Sequence, residues 1–254
     1  TDGDGVPDHI DLDDDNDGVL DLEEDFSIES LNPVLWLDAA DVATITQSGG
    51  LVSQWTDKSG NDRHLTETNT SLQPTFQANQ LNGMGGVDFY LNKRLFSTDN
   101  PTVAYVATIV QAKNTVWNQY HAMLESRSNA TRMGGLRASG NTGFWYDVYP
   151  SAIWEDGTSK TPSTSGFNTI NNPHIIEFTA ASGRGNPMSG ITIGNYDTGS
   201  SGGSGIQYEV IALSYVPSLE ERQKIEGYLA HKWGLTANLP AGHPYKSVPI
   251  STDP

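Results

Sequence analysis

Between residues 33 and 216 the chain never sustains a helical apolar period. It offers short apolar or alternating runs instead, cut by Gly, Asn, Pro and Ser: 34–37, 51–55, 75–77, 86–90, 103–110, 122–125, 143–149, 174–180, 190–193 and 208–215. Many short strands separated by such turns predict a sandwich or jelly roll. No strand–helix–strand alternation is present, so a parallel sheet is not expected. The runs 103–110 and 209–215 are apolar almost throughout and read as inner strands of packed sheets.

One helix is predicted, near the C-terminus. Pro217 precedes Ser218-Leu-Glu-Glu221, a capping box. Ile225, Leu229 and Trp233 then fall at i, i+4 and i+8, one apolar stripe, and Gly234 stands where a helix-ending glycine belongs. The stripe reads as core packing, with the helix covering an edge or an end of the sandwich. The expected fold is therefore all-β: an antiparallel β-sandwich of the jelly-roll kind, with one C-terminal capping helix and a separate acidic N-terminal segment.

The charge sets that segment apart. Of 31 acidic residues in the chain, against 14 Lys and Arg, twelve lie in residues 1–25, which hold no Lys or Arg. That head carries −12 of the formal charge of −17 and leaves −5 for the rest. The expected organisation is 1–25 as an acidic head, 26–32 as a linker and 33–250 as the sandwich. A chain with this balance has no cationic surplus to replace counterions on nucleic acid, and it argues against anionic membranes. It has no cysteine, which removes disulfides, thiol nucleophiles and cysteine metal sites. No apolar run approaches the ~20 residues of a helical membrane span. The chain opens at Thr1 without Met and is expected to be a piece of a longer protein.

The head repeats itself. Asp2-Gly-Asp4-Gly-Val-Pro-Asp8-His-Ile-Asp11 overlays Asp15-Asn-Asp17-Gly-Val-Leu-Asp21-Leu-Glu-Glu24, and the second copy extends back to Asp13. Residues 13–24 then have the spacing of an EF-hand-type calcium loop: carboxylates from Asp13, Asp15 and Asp17, Gly18 for the sharp turn, the Val19 carbonyl, Asp21, and Glu24 at the bidentate position. Asp2, Asp4, Asp8 and Asp11 are the corresponding candidates of the first copy. Oxygen-only donors select a hard cation, so Ca2+ is the expected cofactor. The segment DGDGVPDHIDLDDDNDGVLDLEED resembles the calcium-binding repeats of the thrombospondin type 3 class, which implies a calcium-stiffened spacer beside a functional domain.

A second resemblance covers most of 33–250. VLWLDAADV (34–42), LVSQWTDKSGNDRHLT (51–66) and VIALSYVPSLEERQKIEGYLAHKWGLTANLPAGHPY (210–245) are similar to the laminin-G-like, concanavalin A-like modules of secreted bacterial proteins. Joined to type 3 repeats, they resemble the ligand-binding module of large bacterial surface adhesins. That resemblance implies an extracellular or cell-surface location and a peptide, protein or glycan partner on another cell.

Linear catalytic signatures are missing. There is no E-x-D-x-E or E-x-D-x-x-E strand, zinc-protease motif or P-loop. Glu125 and Glu177 stand isolated in sequence, and the six His are scattered. The Asp57–Asp62 stretch reads as a turn, because Asp and Asn side chains cap their own backbone there. Loop residues are the candidates for binding: Asn195, Tyr196 and Asp197 in a Gly-rich stretch, Trp154, Glu155 and Asp156 beyond Pro150, and Arg127 and Arg132. The expectation is a non-enzymatic, calcium-dependent adhesion module that binds a peptide or glycan. The alternatives are a carbohydrate-binding or catalytic module of a secreted polysaccharide-degrading enzyme, and a structural spacer of a fibre.

Overall fold

A computed structural model describes residues 26–113, 120–126, 134–138, 144–146, 150–161, 166–167, 171–180, 188, 190–195 and 204–249. Among these, seventeen strands precede or flank one long helix. They are β1 (Leu35–Asp38), β2 (Ile45–Ser48), β3 (Leu51–Trp55), β4 (Leu65–Thr66), β5 (Thr75–Leu81), β6 (Met84–Phe89), β7 (Arg94–Ser97), β8 (Tyr105–Ala112) and β9 (Tyr120–Ser126). Then follow β10 (Gly134–Ala138), β11 (Phe144–Tyr146), β12 (Ile153–Glu155), β13 (Thr158–Lys160), β14 (Gly166–Phe167), β15 (Pro173–Thr179), β16 (Ile191–Gly194) and β17 (Gly205–Leu213). The helix, α1, spans Leu219–Trp233.

All pairings are antiparallel. One layer runs β1-β17-β8-β15-β12-β13. The other runs β4-β7-β16-β9-β10-β11-β14. Strands β3, β5 and β6 join the two, since β6 pairs with β17, β5 with β6 and β3, and β3 with β4. Three two-residue loops turn the hairpins β2–β3, β5–β6 and β12–β13: Gly49-Gly50, Asn82-Gly83 and Asp156-Gly157, every one with both φ angles positive. That is the geometry whose twist matches paired strands, and it explains the Gly, Asn and Asp at those places.

The main core lies between the layers. Leu35, Leu37, Val106, Val110, Ile176, Phe178 and Val210 of the first layer meet Leu65, Leu95, Leu124, Ile191 and Ile193 of the second. A second core lies on the far side of the first layer. There Trp36, Tyr105, Ala107, Ile109, Ile175, Ile211 and Leu213 pack under Ile225, Leu229 and Trp233 of α1. The first layer is thus covered on both faces, so β17 is buried along all nine residues and β8 along seven of its eight. Residues 26–32, expected as a linker, are packed: Phe26, Ile28 and Leu31 bury into this second core. A short 3-10 turn at Glu29–Leu31 brings Leu31 to it.

The helix forms as its sequence dictates. Ser218 Oγ accepts from Glu221 N at 3.2 Å and Glu221 Oε2 accepts from Ser218 N at 2.8 Å. Gly234 ends the helix at φ 72°. No helix among the described residues is long and apolar enough to cross a membrane.

Candidate functional site

Two polar clusters stand on faces turned away from the main core. The first is on the outer face of the second layer. Register alone assembles it: Thr66 lies opposite Phe96, Phe96 opposite Thr192, and Thr192 opposite Glu125. Directly opposed residues point to the same face, so four strands contribute one row of side chains. Their neighbours Leu65, Leu95, Ile191 and Ile193 point inward to the core, which leaves the row pointing outward. Glu125 has no exposed surface and Thr192 is 1% exposed, although neither faces the apolar core.

Beside this row Arg94 is held in place. Its Nε donates to Glu67 Oε2 at 2.8 Å, and its guanidinium lies 5.4 Å from the centre of the Phe96 ring. Glu67 Oε1 accepts from Asn69 N at 2.9 Å, and the Glu67 carbonyl accepts from Gln73 Nε2 at 2.7 Å, so the acid that orients Arg94 is itself fixed. Asn195 follows at the end of β16. It is 2% exposed, and its carbonyl accepts from Thr192 Oγ1 at 2.9 Å. Gly194 makes this exit possible: its φ is +91°, and a Cβ there would meet the Lys93 carbonyl at 2.4 Å and Phe89 at 2.5 Å. The face therefore leaves the Arg94 cation, the Phe96 ring and the Thr66 hydroxyl partly exposed, over buried Glu125, Thr192 and Asn195. That is a set suited to hydrogen-bonding and stacking a polyol.

The second cluster is sealed between the first layer and α1. Glu209, with no exposed surface, accepts from Trp36 Nε1 (2.8 Å), Tyr228 Oη (2.9 Å), Trp233 Nε1 (2.6 Å) and Lys232 Nζ (2.8 Å). Lys232 also reaches Asp38 at 2.8 Å, as does Lys58 at 3.2 Å. Burial pushes Asp38 up, but the ammonium groups of Lys232 and Lys58 more than offset it and hold its carboxyl below the usual value. A few ångströms along the helix, Glu177 of β15 meets Glu226 of α1. Arg222 bonds both carboxylates, Tyr105 Oη donates to Glu177, and His243 Nε2 lies 2.7 Å from Glu226. Burial, and then the facing carboxylate, push Glu177 well above the usual carboxylate range, and burial raises Glu226 too.

The residues singled out in the sequence fall as follows. Asp2, Asp4, Asp8, Asp11, Asp13, Asp15, Asp17, Val19, Asp21 and Glu24 lie outside the described residues, as do Tyr196, Asp197, Arg127 and Arg132. Asn195 joins the outer-face row. The expectation of Trp154, Glu155 and Asp156 as an exposed loop is corrected, because they form a strand and its tight turn. Trp154 lies under the Arg222 guanidinium, 4.5 Å from it. Glu155 and Asp156 are buried, with Lys160 at 2.8 Å from the one and His174 at 2.5 Å from the other. The Asp-Gly dipeptide at 156–157 was the signal for that hairpin. Asp57 makes the expected turn: it accepts from the backbone of Trp36, Ser59 and Arg63 and from Ser59 Oγ. Glu125 and Glu177, isolated in sequence, are each brought to other polar groups by pairing across strands. Among the described residues no group of three His, Asp or Glu is arranged to hold a metal ion.

No family model and no curated protein matches the chain. Solved structures do. A Trypanosoma rangeli sialidase is 12% identical with a TM-score of 0.50, over 79% of this chain and 33% of that one. An arabinofuranosidase complexed with arabinofuranosyl-alpha-1,2-xylobiose is 16% identical, with a TM-score of 0.44, over 76% and 58%. The receptor binding domain of botulinum neurotoxin type G is 13% identical, with a TM-score of 0.35, over 77% and 51%. At these identities the likeness shows the fold, a β-sandwich.

The chain spans about a third of the sialidase and somewhat over half of the arabinofuranosidase. The sialidase likeness runs against two expectations, the non-catalytic adhesion module and the absence of enzymatic chemistry, and stands with the alternative, a module of a polysaccharide-degrading enzyme. Acidic and polar groups here converge across strands, where no linear motif records them.

Proposed function

We propose that this chain is the saccharide-engaging sandwich of a polysaccharide-degrading protein, and that the saccharide lies across the outer face of the second layer. The observation that carries this reading is the row Thr66–Phe96–Thr192–Glu125, with Arg94 fixed beside it by Glu67. In this reading Phe96 supplies a stacking surface and Arg94 hydrogen-bonds hydroxyls, while Thr192, Asn195 and Glu125 lie buried beneath them. The laminin-G-like likeness of the sequence agrees with such a module.

The test is a panel of soluble polysaccharides, scored for binding and for release of reducing ends. Arg94→Ala and Phe96→Ala should each weaken binding by roughly 10-fold, the order expected for one lost polar or aromatic contact. No binding and no release across the panel would sink the reading, as would hits that neither of these variants alters.

The acidic head adds a second component to this proposal. The donor set of Asp13, Asp15, Asp17, the Val19 carbonyl and Glu24 suits Ca2+, and a calcium-stiffened spacer beside a glycan-engaging domain fits a secreted protein.

A further inference from the structure

Glu177 and Glu226 sit between β15 and α1 with 0% and 1% of their side-chain surface exposed. Among the described residues, Arg222 is the cation that touches the pair, and it bonds both acids. His243 offers Nε2 to Glu226 at 2.7 Å, but its Nδ1 accepts from the Tyr245 backbone N–H at 3.2 Å. A ring nitrogen that accepts carries no proton, so His243 is the neutral tautomer with its hydrogen on Nε2. Tyr105 contributes a hydroxyl and no charge. Lys246 is turned to the carbonyls of Thr236, Ala237 and Leu239. Lys160 is engaged by Glu155, and His174 by Asp156. Two carboxylates thus share one guanidinium in a water-excluded site, with the further negative charge of Asp156 nearby. Two like charges in contact there cannot both be ionised cheaply.

We propose that Glu177 and Glu226 hold one proton between them at neutral pH, as a latch that fastens the 240–246 segment over the helix, and that loss of this proton opens the latch. The segment is the element that yields because it encloses the acid. A Cβ placed on Gly157 would lie 3.2 Å from Glu226 Oε2, 3.4 Å from His243 and 3.4 Å from Pro240, so the turn, the imidazole and the proline wall off that oxygen together. Water reaches a second buried carboxylate there only when Pro240 and His243 move. The rest of the helix remains held by the apolar contacts of Ile225, Leu229 and Trp233. This inference is independent of the saccharide reading and survives its failure.

The sign follows from the raised values. An acid that protonates more readily when folded stabilises the fold at low pH. That contribution fades as pH rises from the ordinary carboxylate range toward the folded value. Isotope-edited infrared spectra of the whole chain, labelled at glutamate carboxyl carbons, test it directly. A protonated carboxyl band should persist at pH 7, vanish on titration to alkaline pH, and be missing from Glu177→Gln or from Glu226→Gln, whichever folds. Thermal midpoints should fall by roughly 3–6 °C from pH 5 to pH 9 in the parent chain, and less in either glutamine variant. Spectra showing only ionised carboxylates at pH 7 would overturn the proposal. So would a midpoint profile that both variants share with the parent.

Discussion

At the scale of single residues, the buried acids do different work in the same layer. Glu209 is a complete acceptor: two indoles, a phenol and an ammonium each give it a hydrogen bond. It ties β1, β17 and the end of α1 together. Replacing it by Ala takes this acceptor from two indoles and a phenol and leaves Lys232 with Asp38 as its one carboxylate there, and breaking a buried pair in this way costs about 3–5 kcal/mol. Urea denaturation of Glu209→Ala should report a loss of that order, whereas Glu220→Ala, on the exposed face of the helix start, should report almost none. Asp38 and the Glu177–Glu226 pair pull the pH response in opposite directions. Asp38, held low by Lys232 and Lys58, gives stability above the ordinary aspartate range and loses it as the medium is acidified. The pair gives stability that fades in the other direction. Chemical denaturation across pH should therefore peak on the mildly acidic side of neutral, and Asp38→Asn should flatten only the acid limb.

At the scale of elements, what was legible in the sequence was whatever is set locally. The helix is written out in Pro217-Ser218, Glu221 and Gly234, and the structure uses those residues as caps. Ser218→Ala should cost about 1 kcal/mol, the usual worth of such a cap, measurable as a shift in denaturation midpoint at unchanged slope. Turn chemistry was equally local: Asn82-Gly83 closes its hairpin, and Asn82 Nδ2 then donates to the Lys232 carbonyl at 3.0 Å and caps the helix end. The inner strands were legible because a layer covered on both faces needs no polar alternation. The candidate site was not legible, for the opposite reason. Thr66, Phe96, Glu125 and Thr192 come from four strands, and only pairing register puts them in one row. The same holds for Glu177 and Glu226, joined across a sheet–helix interface. Residues 154–156 misled because their place beyond Pro150 suggested an exposed loop. The Asp156-Gly157 turn folds them inward instead.

At the scale of the whole molecule, the distribution of charge separates two devices. The head concentrates twelve acids in 25 residues, a density that repels itself unless a cation intervenes. The remainder is close to charge balance, and among its described residues no acidic group of three is placed for a metal. Calcium should therefore act on the head and leave the sandwich's own unfolding untouched. Calorimetric titration of the metal-stripped chain should show calcium binding that Asp15→Asn combined with Asp17→Asn weakens by at least ~10-fold, since each change removes one charged ligand from the same loop. The thermal midpoint of the sandwich should be the same in parent and variant, with or without calcium, because ligand binding stabilises only the unit that holds the ligand. Undiminished calcium binding in the double variant would place the ion elsewhere. A midpoint that climbs with calcium in that variant would place it in the sandwich, and the saccharide face would then have to be re-examined as a metal-assisted site.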